Sequence, residues 1–340
     1  MRILFAICNI GFGHVSRSLA LIKELEARHE IFVAVGKPYA RYLRELGYNA
    51  REIYAGITLG QEVGKRMLAT LLFLNRASPI LLSLRYVKRM IAEINPELIV
   101  SDTELVVPFA NRFSKRARVV MITHQPNIFT KVFRRATNAL WHRYLNRCCD
   151  AILVPDVVGI PLPERIGKKT EIIGPLFHRV KRKVKFRRKT VVIVPSFASV
   201  SEYERLVEFA ERNKEWDFVF LGQSAEKRTG NVILKKKENV KNPCEYISAA
   251  EIAVVSGYSA LMEAVYYRKP VFMIPTQFEQ ECIAELGEAS GVLVRGSVSN
   301  LKGLENLMED KTLRRRIVKN QKRFHRNGVR EAVRLIEAMG

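Results

Sequence analysis

Residues 252–280 read IAVVSGYSALMEAVYYRKPVFMIPTQFEQ. Ile252 to Val255 is a short β-branched run typical of a buried strand, and it ends at Ser256-Gly257-Tyr258-Ser259 before a helical pattern begins. The order predicts a strand, a tight turn and a helix N-terminus. The first N–H groups of such a helix lack partners and sit at the positive end of the peptide dipoles, which suits them to phosphate. Gly257 lets the anion approach without a Cβ in the way. Glu263 falls one turn after Ser259 on the same helical face, where it can meet the hydroxyls of a ribose attached to that phosphate. A second strand, Val271 to Ile274, then brings Pro275 and the polar run Thr276-Gln277-Phe278-Glu279-Gln280 to the sheet edge where open α/β sheets bind ligands. Gly257 alone would mean little, because strand-glycine-helix turns occur in every doubly wound protein. The whole constellation selects the functional reading.

This stretch resembles the nucleotide-sugar half of the GT-B glycosyltransferases, in the branch containing the bacterial cell-wall N-acetylglucosaminyltransferase and the UDP-glycosyltransferases. The matching residues are Ala249-Ala250-Glu251, Ser256-Gly257-Tyr258-Ser259, Glu263, Lys269-Pro270, Pro275 and Phe278-Glu279-Gln280. The resemblance implies that Gly257, Tyr258, Ser259 and Glu263 hold the donor nucleotide, and Glu279 and Gln280 its sugar. Ser256 and Ile283 depart from the pattern, standing where relatives often have Gly and Asn.

Outward from this core, strand and helix patterns alternate. Ile3–Ile7 is strand-like, Asn9–Gly13 is a glycine loop, and Val15, Leu19, Ile22 and Leu25 recur at helical spacing. Ile31–Val35 gives a second strand, and Pro38 opens a helix that Gly47 closes. Such alternation argues for parallel sheets covered on both faces. The loop Gly11-Phe12-Gly13-His14-Val15-Ser16-Arg17 begins like a dinucleotide fingerprint. It then fails, because Ser16 replaces the third glycine and the second strand ends at Gly36-Lys37 without an acid, Lys37 leaving a small opening for NADP.

The same loop resembles the Gly-x-Gly-His-x-x-Arg signature of an archaeal and bacterial branch of GT-B enzymes, in which the histidine faces the interdomain cleft. The resemblance makes His14 a general base, with Gly13 and Arg17 turned to the donor diphosphate; a helix-capping role for His14 stays open. A histidine at a helix start loses proton affinity to the dipole, which suits a neutral base. Asp102 ends the strand Leu98–Ser101, and by resemblance it holds His14; as an N-cap of the next helix, it or Thr103 would serve instead. His124, after the strand Val119–Ile122, could touch the acceptor, although a lone loop histidine is more often merely exposed. Ser196, in the loop after Thr190–Val194, is the further residue that the resemblance turns toward the diphosphate.

Composition sets the bounds. The 340 residues, 48% of them hydrophobic, fit two domains. We expect residues 1–178 as an acceptor-binding Rossmann-like domain and 179–189 as a basic linker, then 190–311 as a nucleotide-sugar domain and 312–340 as a helical tail returning toward the first. A net charge of +23 calls for anionic ligands or surfaces. The five cysteines form no CxxC pair, which predicts a reduced, cytosolic setting and no structural zinc. The apolar start Met1–Cys8 is too short for a secretory signal, and Met67–Leu84 is broken by Asn75, Arg76, Ser78 and Pro79, so no membrane-spanning helix is expected. Two basic amphipathic stretches, Lys65–Ala92 and Lys131–Arg147, suit an anionic membrane surface, although a solvated helix face is the commoner arrangement. The run Arg179–Lys189 lacks the stacking aromatics of a nucleic-acid site, so no nucleic-acid partner is expected.

The resulting expectation is an α/β protein of the GT-B fold, two Rossmann-like domains with parallel sheets facing an interdomain cleft. It would be an inverting glycosyltransferase needing neither metal nor cofactor, with a nucleotide-sugar donor, most simply a UDP-sugar, and an acceptor hydroxyl on a lipid or cell-envelope glycan. A nucleotide-sugar epimerase and a non-catalytic basic binding module are the competing readings.

Overall fold

The computed structural model describes residues 1–9, 11–53, 77–114, 116–130, 133–180, 184–194, 200–240 and 242–340, with backbone alone at 77–82, 200 and 238. The chain forms two compact units. Met1–Pro155, Pro161–Leu176 and Asn327–Gly340 make the first; Asp156–Ile160 and Phe177–Arg326 make the second.

In chain order the first unit comprises β1 (Arg2–Ile7), α1 (Phe12–Leu25), β2 (Glu30–Val35), α2 (Lys37–Glu45), β3 (Asn49–Glu52), α3 (Ala77–Ile94), β4 (Leu98–Asp102), α4 (Val106–Ser114), β5 (Arg118–Ile122), α5 (Arg134–Cys148), β6 (Ala151–Pro155), α6 (Glu164–Gly167) and β7 (Thr170–Ile173). Its sheet runs β3-β2-β1-β4-β5-β6-β7, with every pairing parallel. Parallel strands are covered on both faces, and β4 is accordingly buried at every position, including its terminal Asp102. Strand order reverses between β1 and β4, paired from Ile3↔Leu98 to Ala6↔Ser101. Their carboxyl ends therefore flank the switch point at which such sheets bind ligands. Asn9 lies over Gly36 at the end of β2, so that a Cβ there would fall 2.3 Å from Asn9 Cγ.

The second unit follows with β8 (Thr190–Val194), α7 (Val200–Arg212), β9 (Asp217–Gln223), β10 (Lys227–Thr229), β11 (Val232–Lys236), α8 (Pro243–Ile247), β12 (Ile252–Val255), α9 (Tyr258–Tyr266), β13 (Val271–Met273), α10 (Phe278–Ala289), β14 (Val294–Arg295), α11 (Lys302–Glu309) and α12 (Lys311–Gln321). The order is β10-β11-β9-β8-β12-β13-β14. It is parallel except for the β10–β11 hairpin at the edge, which short charged strands make possible and which the sequence pattern does not announce. Here the order reverses between β8 and β12, and Val255 pairs with Val194.

The final helix, α13 (Gly328–Met339), belongs to the first unit and buries Val329, Ala332, Val333 and Ile336 among Ile3, Phe5 and Leu25. The segment expected as a single tail is thus divided, α12 counting with the second unit. Nor is the basic run 179–189 a bare connector. Arg188 pairs with Asp217 at 3.1 Å, and Lys189 lies over the Trp216 ring, so its described part is anchored on the second unit. Of the two amphipathic stretches, 65–76 and 131–132 lie outside the described residues; the remainder forms α3 and α5. Among the described residues no helix is long and apolar enough to cross a membrane.

Candidate functional site

Three residues of α1 lie at i, i+3 and i+4 on one helical face: His14, Arg17 and Ser18. They converge on Asp102. His14 Nδ1 is 2.8 Å from Asp102 Oδ1, Arg17 Nε donates to Oδ2 at 2.7 Å, Arg17 Nη2 donates to Oδ1, and Ser18 Oγ donates to Oδ2 at 3.0 Å. The backbone that carries the carboxylate is fixed as well. Asp102 O accepts from Cys8 N at 3.0 Å, and Thr103, at φ 55°, turns its N–H and hydroxyl onto Ile122 O.

This network sets the charges. Burial alone would raise the Asp102 pKa, but the Arg17 guanidinium and His14 outweigh it and hold the carboxyl well below its ordinary range. The His14 pKa is lowered, first by burial and then by the Arg17 charge, with Asp102 opposing. Burial, rather than the helix dipole invoked above, is the leading cause. His14 Nδ1 also lies 2.9 Å from Arg17 Nη2; in the tautomer whose Nδ1–H donates to the ionised Asp102, Nε2 of the neutral ring carries the lone pair. With 14% of its side chain exposed, His14 keeps a path to solvent.

Several expectations change here. Asp102 caps no helix; Glu104 does, its carboxylate accepting from the N–H groups of Val106 and Val107 at 2.9 and 2.8 Å. Burial pushes the Glu104 carboxyl up to about 7 despite those N–H groups. Arg17, expected against the diphosphate, is 2% exposed and its guanidinium is committed to Asp102. His124 is not an exposed loop residue. It is 7% exposed, with its ring centroid 6.5 Å from that of His14 and Nδ1 3.4 Å from Arg17 Nη1. Gly13 lies in the first turn of α1 after Gly11, whose φ of 72° starts the helix.

In the second unit, Gly257 is the N-cap of α9 and brings no side chain to the helix start. Tyr258 is buried and Ser259 half-buried in its first turn. Glu263, one turn on, is 7% exposed, and its Oε2 has no partner among the described residues. Burial raises its pKa to about 7, which a hydrogen bond with the Cys244 thiol opposes. A buried carboxylate oxygen without a donor is costly, and a ligand hydroxyl would relieve it. Gln280 Oε1 accepts from Thr276 N and Oγ1 at 2.8 and 3.0 Å, so these two bonds use its acceptor end and not its NH₂ donors. Glu279 is half-buried in the first turn of α10, and Ile283 is core. Ser196 lies outside the described residues.

Sequence reasoning missed Ser18, Glu104 and Cys244, and it placed Thr276 in the polar run at the sheet edge without a role of its own. The i, i+4 spacings His14/Ser18 and Thr276/Gln280 were available signals; nothing local marks Cys244 as the neighbour of Glu263. Among the described residues no group of three His, Cys, Asp or Glu side chains could hold a metal ion.

Comparison with known proteins adds three findings. Residues 1–303 match the model of "Glycosyl transferase family 1". Proteins of Methanosarcina acetivorans and Methanosarcina mazei, each described as an uncharacterized glycosyltransferase, are 28% and 27% identical; the alignments cover 93% and 86% of this chain and 90% and 85% of theirs. Among solved structures, the spinosyn rhamnosyltransferase SpnG is similar with a TM-score of 0.74 at 14% identity, covering 99% of this chain and all of that one. The glycotransferase of kitacinnamycin is similar with a TM-score of 0.70 at 17% identity, over 99% of this chain and 98% of its own. SpnG has also been solved with thymidine diphosphate and with its spinosyn aglycone. At such identities the structural likeness establishes the fold, that of GT-B glycosyltransferases.

Proposed function

The chain belongs to glycosyl transferase family 1, and from that premise we propose that this glycosyltransferase works by inversion, with His14 as general base and a nucleoside-diphosphate sugar as donor. The observation that carries the reading is the 2.8 Å pair between His14 Nδ1 and the buried Asp102 at the switch point of the first sheet. As the acceptor hydroxyl attacks the anomeric carbon, its proton passes to His14 Nε2. Asp102 stabilises the imidazolium that forms, a contribution of about 10²- to 10⁴-fold. The bond from the anomeric carbon to the β-phosphate oxygen breaks with its electron pair on the diphosphate. The first-turn N–H groups of α9, reached past Gly257 and joined by Ser259, receive that charge. Arg17 acts as a positioning residue, keeping Asp102 ionised and His14 neutral.

Glu263 takes the ribose. A ribose diol offers its carboxylate two donors and a deoxyribose one, so we set UDP before TDP even though the similar SpnG has been solved with thymidine diphosphate. Glu279 and Gln280 take the sugar hydroxyls. On the acceptor side, Phe12 is 50% exposed two residues before His14, with the Tyr39 and Tyr42 rings 6.3 and 5.6 Å away. This exposed aromatic cluster beside the base suits an acceptor whose hydroxyl is borne on an apolar, lipid-like body.

The test is incubation with UDP-, TDP- and GDP-sugars and a panel of lipid and glycan acceptors. Free nucleoside diphosphate with a product of inverted anomeric configuration supports the proposal. An isomerised donor without transfer would assign the site to epimerisation instead.

A further inference from the structure

Three adjacent helices of the first unit carry an unusual surface. α4 packs against both α3 and α5, and neither α4 nor α5 contains an acidic residue. The exposed basic side chains include Arg85, Lys88 and Arg89 on α3 and Arg134, Arg135 and Arg143 on α5. The one acid of α3, Glu93, is bound to Arg51 at 2.5 Å. Large apolar groups stand among these cations: Phe113 is 61% exposed, Leu140 53%, and Phe133, at the start of α5, 70%. Phe109 packs edge-on against Phe113 with centroids 5.2 Å apart. Burial in the protein accounts for none of these apolar groups, and three helices whose one acid is already paired raise the local potential.

We infer that this face settles on an anionic lipid surface, with Phe113, Leu140 and Phe133 entering the headgroup layer and the arginines of α5 meeting lipid phosphate. The occupant follows from the cations and the exposed apolar groups together. The Lys88 ammonium lies 4.5 Å over the Phe113 ring, so one face of that ring is covered by a cation. Exposed apolar groups beside cations enter an acyl-headgroup boundary well, and a ring so covered stacks poorly on a nucleic-acid base. The inference narrows the general affinity of a +23 chain for anions to one surface, and it stands independently of the roles given to His14 and Glu263.

The experiment is co-sedimentation of the full chain with phosphatidylcholine vesicles, with and without phosphatidylglycerol. Three proteins are compared, all checked for unchanged melting: the wild type, a Phe113→Ser/Leu140→Ser variant and an Arg134→Gln/Arg135→Gln/Arg143→Gln variant. We expect binding to the anionic vesicles alone, weakened by salt. The arginine variant should lose affinity on the order of a hundredfold, at about fivefold per charge, and the apolar variant should also bind less tightly. Equal binding to both vesicle types, no binding, or wild-type binding by both variants would overturn the inference. So would a single-stranded RNA that displaces the vesicles and loses affinity only in the arginine variant.

Discussion

Arg17 and Asp102, 85 residues apart in sequence, form a two-point ion pair inside the first unit: Nε donates to Oδ2 at 2.7 Å, Nη2 donates to Oδ1, and the side chains are 3% and 0% exposed. Such a pair cannot lose one member without stranding the other. Arg17→Gln is expected to destabilise the protein by about 3–5 kcal/mol, measured by urea titration, because Asp102 would be left as a buried charge with its cation gone.

The same substitution has a distinct signature in the pH profile. With His14 as the base proposed above, activity requires its neutral form, so the acid limb of kcat/KM should follow the His14 pKa, which lies below 6.5. The Arg17 charge lowers that pKa while Asp102 raises it. Removing Arg17 should therefore move the limb to higher pH, whereas Arg17→Lys should keep it near the wild-type position. A limb unmoved by Arg17→Gln would exclude the electrostatic role.

His14→Ala should abolish transfer while leaving nucleoside-diphosphate affinity nearly unchanged, since His14 belongs to the first unit and α9 to the second. Asp102→Asn should lower kcat by about 10²- to 10⁴-fold, because the amide no longer demands the Nδ1–H tautomer. Transfer rates with calorimetric donor binding separate these effects.

Glu263 links stability to pH. Its folded pKa, raised from 4.5 to about 7, means that the native state holds a proton the unfolded chain has released. The resulting stability is fully present below pH 4.5 and is lost as pH rises through about 7. The span corresponds to about 3 kcal/mol. Glu263→Gln should flatten the stability curve over that window and raise the donor's KM more than it lowers kcat. Melting curves from pH 4 to 8 would expose a contrary slope.

Gly328 begins α13 against the backbone of Gly174, and a Cβ there would fall 1.9 Å from Gly174 O. Gly328→Ala should cost about 2–3 kcal/mol, because a backbone carbonyl cannot swing aside as a side chain would. Gly167→Ala, whose added Cβ meets nothing within 4 Å, is the control and should stay within about 0.5 kcal/mol.

The amino-acid sequence by itself determined what depends on short stretches of chain. β-branched runs bounded by glycine turns set the two parallel sheets. Because residues at strand ends fall at one sheet edge whatever packs around them, the places of Asp102 and Gly257 were legible from position, with His14 and Glu263 in the helices that follow such ends; the roles expected of His14 and Asp102 came from the resemblance. The tertiary structure alone decided what those residues touch and how far they are withdrawn from water. That Asp102 is shared by Arg17 and Ser18, and that Glu263 is buried against Cys244, depend on contacts between distant parts of the chain; the Glu104 cap of α4 is local, and Asp102 is left out of it because those distant partners hold its carboxylate. Desolvation and ion pairing act through space, so the ionisation of His14 and Glu263 was settled only once the elements had packed.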